Sequence, residues 1–127
     1  MLEVEVVGLS AGLLPEAEVE RLAALAAASA GIDDGHVAIQ FTSAAEIARL
    51  NLEHRATEGP TDVLSFPIDG ADTAVLGPRE LGDVVICPEH TADLREAVIH
   101  GVLHLIGMDH ELDAGEMLAL QAELLSW

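Results

Sequence analysis

Between His100 and His110 the chain reads HGVLHLIGMDH, and no other run limits the fold as tightly. His100 and His104 are four apart, so on a helix they share one face with Cβ atoms about 6 Å apart. A zinc ion, with Zn–N bonds of about 2.0–2.1 Å, can bridge two imidazoles so placed. His110 cannot join them by continuing the helix, because ten residues at about 1.5 Å rise carry it roughly 15 Å from His100. The helix must stop and the chain must turn back. Gly107 stands where the stop is needed, since glycine takes the left-handed conformation at a helix end without steric cost. The run predicts a helix, a sharp bend, and three imidazoles around one metal.

The rest of the chain supplies elements for that helix to pack on. Leu2 to Val7 and His36 to Phe41 alternate and read as strands. Between them, Pro15 and the acidic residues Glu16, Glu18 and Glu20 suit the start of a helix that runs to about Ala30 and stops at Gly31. Ser43 followed by Glu46 is a capping-box pattern, which predicts a helix over about Ala44 to Glu53. Gly59 and Pro60 mark a turn into a third strand, Thr61 to Ile68, stopped by Pro67. A loop over Asp69 to Arg79 precedes a fourth strand, Leu81 to Cys87. Helical spacing then runs from about Thr91 to Ile106 and again from Ala114 to Leu125. The order predicts an α+β fold: a small mixed four-stranded sheet packed with helices, with the metal site on a C-terminal helix and the turn after it. At 127 residues the chain makes one domain, 1–127, with a modest core. Alanine, leucine and valine must fill it, because the aromatic residues are two phenylalanines and Trp127.

Three neutral imidazoles suit zinc, although nickel and iron accept the same donors. Three protein ligands leave a fourth position for water, whose pKa falls toward about 7 on such an ion. A closed structural site would need a fourth ligand, with Cys87 the one available sulfur or an acidic residue in its place. A blander reading makes His100 and His104 ordinary half-buried helix residues. In the HExxH peptidases a glutamate general base follows the first histidine; here that position is Gly101. Asp109 and Glu111 flank the third histidine, and either can orient a ligand ring or take a proton. Asp109 suits an orienting or turn role, and Glu111 also suits the start of the last helix. Thr61 and Asp62 suit the turn into the third strand. His54 and His90 could touch substrate but read more simply as surface residues, and His36 opens a strand.

Three ordered blocks carry a resemblance: TDVLSFP at Thr61 to Pro67, LGDVVIC at Leu81 to Cys87, and HGVLHLIGMDHE from His100, preceded by matching Asn51 and Arg55. Together they resemble the YbeY family of bacterial endoribonucleases, over about Val37 to the C-terminus. The resemblance implies a single-strand-specific metallo-endoribonuclease acting in 3′-end maturation of small-subunit ribosomal RNA and in ribosome quality control. It implies zinc on His100, His104 and His110, a cleft arginine at Arg55, and a small mixed sheet flanked by helices. Arg55, through its planar fork, would bind a phosphate oxygen, although by itself it also reads as an ordinary exposed arginine ending a helix; Ser65, on one face of its strand, would meet the cleft. Implied partners are single-stranded RNA and the small ribosomal subunit with its factors. One departure stands out: the family carries a longer segment between its GDVVIC block and the histidine helix. Here Pro88 leads to His100 in a dozen residues, so a helix is shortened or lost there.

The charge balance limits the partners. Twenty-three acidic residues face five arginines and no lysine, a formal −18. Such a surface repels phosphate backbones at long range and argues against broad nucleic-acid binding, DNA included. No run approaches the 18 or so apolar residues of a membrane span, no signal peptide is recognisable, and a lone Cys87 excludes an internal disulfide. A cytoplasmic enzyme is the expectation. Two other functions fit parts of the pattern: a zinc peptidase-like hydrolase, from the histidine spacing, and a non-enzymatic ribosome-assembly factor with structural zinc.

Overall fold

A computed structural model describes residues 2–8, 14–69, 79–109 and 114–127. The elements run β1 (Leu2–Val7), α1 (Glu16–Ala28), β2 (Gly35–Phe41), α2 (Ala44–Arg55), β3 (Val63–Pro67), β4 (Glu80–Ile86), a 3-10 turn (Pro88–His90), α3 (Leu94–Leu105) and α4 (Glu116–Leu125). The α+β expectation holds. The four strands form one sheet in the order β1-β2-β4-β3, with β1, β2 and β4 parallel and β3 antiparallel to β4. The antiparallel partner β3 therefore forms one edge, beside the strand that leads into α3.

Alternation along β4 divides the core between the two faces. Val84 and Ile86 join Leu22, Ile39, Ile99 and Leu103 in the larger cluster, beneath α1, α3 and α4. Val85 meets Ile47 and Leu64 on the opposite face, and Cys87 just past the strand joins them, beneath α2. That face is only partly covered: His36, Glu5, Glu80 and Asp83 lie toward its β1–β2 side, none of them fully buried.

Several boundaries moved by up to a few residues, and two of the shifts have clear local reasons. The strand expected from Thr61 starts at Val63, because the Asp62 carboxylate accepts from Val63 N at 2.8 Å and makes a turn of the residues before it. Thr61 and Asp62 shape that turn, as their types suggested. The helix expected from Thr91 starts at Leu94. The Thr91 hydroxyl is spent on the Cys87 carbonyl at 2.6 Å, and Asp93 caps the helix by accepting from Arg95 N and Glu96 N. The short connection after β4 is thus a single 3-10 turn followed by a capped helix start. The loop expected over Asp69 to Arg79 lies, from 70 to 78, outside the described residues.

Candidate metal centre and cleft

One face of α3 is committed to the core: Val98, Ile99, Val102 and Leu103 are fully buried. Gly101 belongs to that face. A Cβ there would sit 2.4 Å from Val84 Cγ1, so the helix lies closer to β4 than any side chain at 101 would allow. The other face carries His100 and His104, both half-buried. Their Nε2 atoms are 3.2 Å apart and the ring planes stand at 75°. Two nitrogens bound to one tetrahedral ion at about 2.0–2.1 Å would lie about 3.3–3.4 Å apart. The pair fits a shared metal with little rearrangement. His100 Nδ1 is in turn 2.8 Å from Gln121 Oε1 on α4.

The expected stop follows His104 directly. Gly107 has φ +99°, its N–H donates to the His104 carbonyl, and Met108 N donates to the Leu103 carbonyl, each at 3.1 Å. This is the Schellman arrangement, with Met108 packed on the same core as Leu103. It turns the chain toward the cleft, where Asp109 forms part of the wall. His110 and Glu111, expected as third ligand and proton carrier, lie outside the described residues.

The cleft has a volume of about 720 Å³ and is lined by His54, Arg55, Thr61, Asp62, the whole of β3, His100, His104, Gly107, Met108 and Asp109. Arg55 reaches it as the last residue of α2. Asn51, 3% exposed, ties down the following turn by donating from Nδ2 to the Gly59 carbonyl at 3.0 Å. Ser65 lines the cleft, but its hydroxyl donates to the Gly101 carbonyl at 2.9 Å, so its remaining capacity is as an acceptor. His54, read from sequence as a surface residue, is exposed yet stands edge-on to Phe66, ring centroids 5.0 Å apart, in the cleft wall.

The arginines separate by charge state of their surroundings. Arg21 and Arg95 both bond Glu18, whose carboxyl is held down to about 2, chiefly by the Arg21 guanidinium. Arg49 bridges Glu46 and Glu53. Among the described residues Arg55 has no carboxylate partner, and it is the arginine that faces the cleft.

Cys87 does not stand with the histidine pair. Its sulfur is fully buried, and with Glu89 and His90, both exposed, it brings three donor atoms within 4.8 Å of one another. That group is able to hold a metal ion, at the far end of the turn that leads into α3. Sequence reading missed both this group and Gln121. A signal for Gln121 existed: it is the one polar residue on a stripe with Met117 and Leu124, where helical spacing calls for an apolar side chain.

Comparison with known proteins finds relatives for most of the chain. The family model described as Endoribonuclease YbeY matches residues 15–127. An Endoribonuclease YbeY of Alkalilimnicola ehrlichii is 38% identical over 141 aligned positions, covering 98% of this chain and 85% of the relative. That alignment is longer than the 127-residue chain, so the relative carries residues this chain lacks. Another, from Chloroflexus aurantiacus, is 35% identical and covers 94% of this chain and 92% of the relative. A third, from Corynebacterium glutamicum, is 39% identical over 73% of this chain, which spans only 58% of that relative's length. Among solved structures, TM1509 from Thermotoga maritima matches with a TM-score of 0.57 and 28% identity, over 97% of this chain and 87% of the other.

Proposed function

Because this chain belongs to the Endoribonuclease YbeY family, we propose that it is a metal-dependent endoribonuclease that cuts single-stranded RNA, acting in 3′-end maturation of small-subunit ribosomal RNA and in ribosome quality control. The observation that carries this reading is a single cleft that holds both an imidazole pair at metal-sharing distance and an arginine with no carboxylate partner among the described residues.

His100 and His104 would hold zinc, with His110 as third ligand. When bound, such an ion supplies Lewis acidity and lowers the pKa of water toward about 7. Arg55 binds the non-bridging oxygens of the scissile phosphate through its planar fork, in a protein whose net charge otherwise repels them. Asp109, at the cleft wall, and Glu111 are the candidates to orient a ligand ring or carry a proton. Ser65, its own hydrogen occupied, accepts from a donor on the substrate, and a ribose 2′-hydroxyl is such a donor. The His54–Phe66 edge offers a surface for an unstacked base, which a duplex would not present. The −18 charge makes affinity for free RNA modest, so the small ribosomal subunit or a factor on it delivers the substrate. No described helix is long and apolar enough to cross a membrane.

A peptidase reading draws on the outer edge of β3 along the cleft, which pairs with no other strand among the described residues and where an extended peptide could add. It fails at Gly101: a general base there would point into Val84, away from the imidazole pair. The deciding experiment pairs metal analysis with cleavage of matched single-stranded and duplex RNA and of an unstructured peptide. His104→Ala is expected to lose bound zinc and single-strand cleavage together. Cleavage that persists in metal-free protein would overturn the reading, and a metal with a fourth protein ligand and no cleavage would favour a purely structural role in ribosome assembly.

A further inference from the structure

Gln121 is 7% exposed, on the core-facing stripe of α4 between Met117 and Leu124, which are 0% and 6% exposed. Burying an amide is unfavourable unless its polar atoms are bonded. Its Oε1 lies 2.8 Å from His100 Nδ1, and an amide oxygen can only accept, so the ring proton must sit on Nδ1. A neutral imidazole carries one ring proton, so Nε2 is then the nitrogen with the lone pair. Nε2 is also the nitrogen that faces His104, at 3.2 Å.

We propose that Gln121 is a positioning residue for the metal centre: its amide oxygen selects the Nδ1–H tautomer of His100 and so presents Nε2 as the ligand nitrogen. This rests on the reading that His100 and His104 share a metal. The partner is neutral, which sets ring orientation and tautomer without adding a negative charge beside the site. The bond also ties α4 to α3 across 21 residues of sequence, so docking of the last helix decides the ligand state of the one before it. Partners of this kind typically alter metal affinity by about 10–100-fold when removed.

The test uses ring ¹⁵N–¹H correlation spectra of the metal-free protein together with zinc affinity, measured by competition with a chromogenic chelator. Wild type is expected to show His100 protonated on Nδ1. Gln121→Leu, close in volume but without an acceptor, is expected to populate the Nε2–H tautomer and to bind zinc about 10–100-fold more weakly. Gln121→Glu keeps an acceptor but adds a charge that favours the imidazolium, so it is expected to restore the Nδ1–H tautomer and zinc affinity only at alkaline pH, where the ring is neutral. A merely structural role would move thermal stability but leave the tautomer unchanged. Protonation of His100 on Nε2 in wild type overturns the proposal, as does a Gln121→Leu protein with unchanged tautomer and zinc affinity. If Gln121→Leu does not fold, the wild-type spectrum and the Gln121→Glu affinity still decide. Wild type that binds zinc no better than His104→Ala overturns the metal reading instead, while the spectrum continues to judge the tautomer.

Discussion

His36 and His100 are both half-buried imidazoles held through Nδ1, and they are held by opposite kinds of acceptor. His36 Nδ1 lies 2.7 Å from a Glu80 carboxylate oxygen, and its Nε2 is 3.4 Å from Glu5. His100 Nδ1 lies 2.8 Å from the neutral amide oxygen of Gln121, and its Nε2 meets another imidazole. Two carboxylates favour the imidazolium: the hydrogen bond the ring donates to Glu80, then the charge of Glu80, then Glu5, raise the His36 pKa above the ordinary histidine value. An imidazolium has no lone pair and cannot ligate a metal. One residue type is thus biased toward its cationic form on the open face of the sheet and, in the proposed metal centre, toward one neutral tautomer at the cleft. Acceptor chemistry makes the distinction, since both rings are comparably buried.

The comparison breaks most sharply by deletion. His100→Ala is expected to weaken zinc binding by at least about 100-fold, and His36→Ala to leave it within about twofold. Equal effects in a chelator competition would mean that the two rings do not differ in role. A second test moves the ring without removing it. Gly101→Ala pushes a methyl group into Val84 and should destabilise the fold by about 1–3 kcal/mol in denaturant titrations, while displacing His100 and lowering zinc affinity. His36, on another strand, should keep its raised pKa.

The smallest expected effect is a pH dependence. A folded-state pKa raised above the unfolded value gives His36 a contribution that is fully present below about pH 6.5 and is lost as pH rises through the folded pKa. Asp83, raised mainly by burial and then by Glu80, drifts in the same direction at lower pH: the folded state binds its proton more readily, so stability falls as that proton leaves. Glu80→Gln gives His36 a neutral partner like that of His100. It should bring the His36 titration, followed by NMR, back toward the ordinary value and remove that pH slope, worth less than about 1 kcal/mol for a partly exposed pair. An unchanged titration would transfer the effect to Glu5.

What was legible in the chain was local. Gly107 and Met108 lie within five residues of the His104 and Leu103 carbonyls they bond, and Ser43 accepts from Glu46 N within a single turn, so spacing alone finds them. The start of α3 was misjudged because two residues competed to cap it, and Thr91 was already bonded to Cys87. The strand order β1-β2-β4-β3 was not legible, since pairing partners such as Gly35 and Leu2 are set by how the helices cross the sheet. Gln121 was hidden for the same reason: its meaning depends on α4 folding back over α3. The short connection between Pro88 and His100 was visible as a departure, and it proves to be one 3-10 turn ahead of a capped helix.

The 3-10 turn and the Asp93 cap have a consequence for assembly on the ribosome. Synthesis delivers β4, the turn and α3 in succession, so the imidazole pair, with the Asp93 cap of its helix, is made before α4. Its proton arrangement must wait until residue 121 has been made and has docked. If Gln121 sets the tautomer as proposed, a nascent chain carries the right donors before it carries the right tautomer, and tight metal capture is expected only after the hydrophobic layer between α3 and α4 has closed.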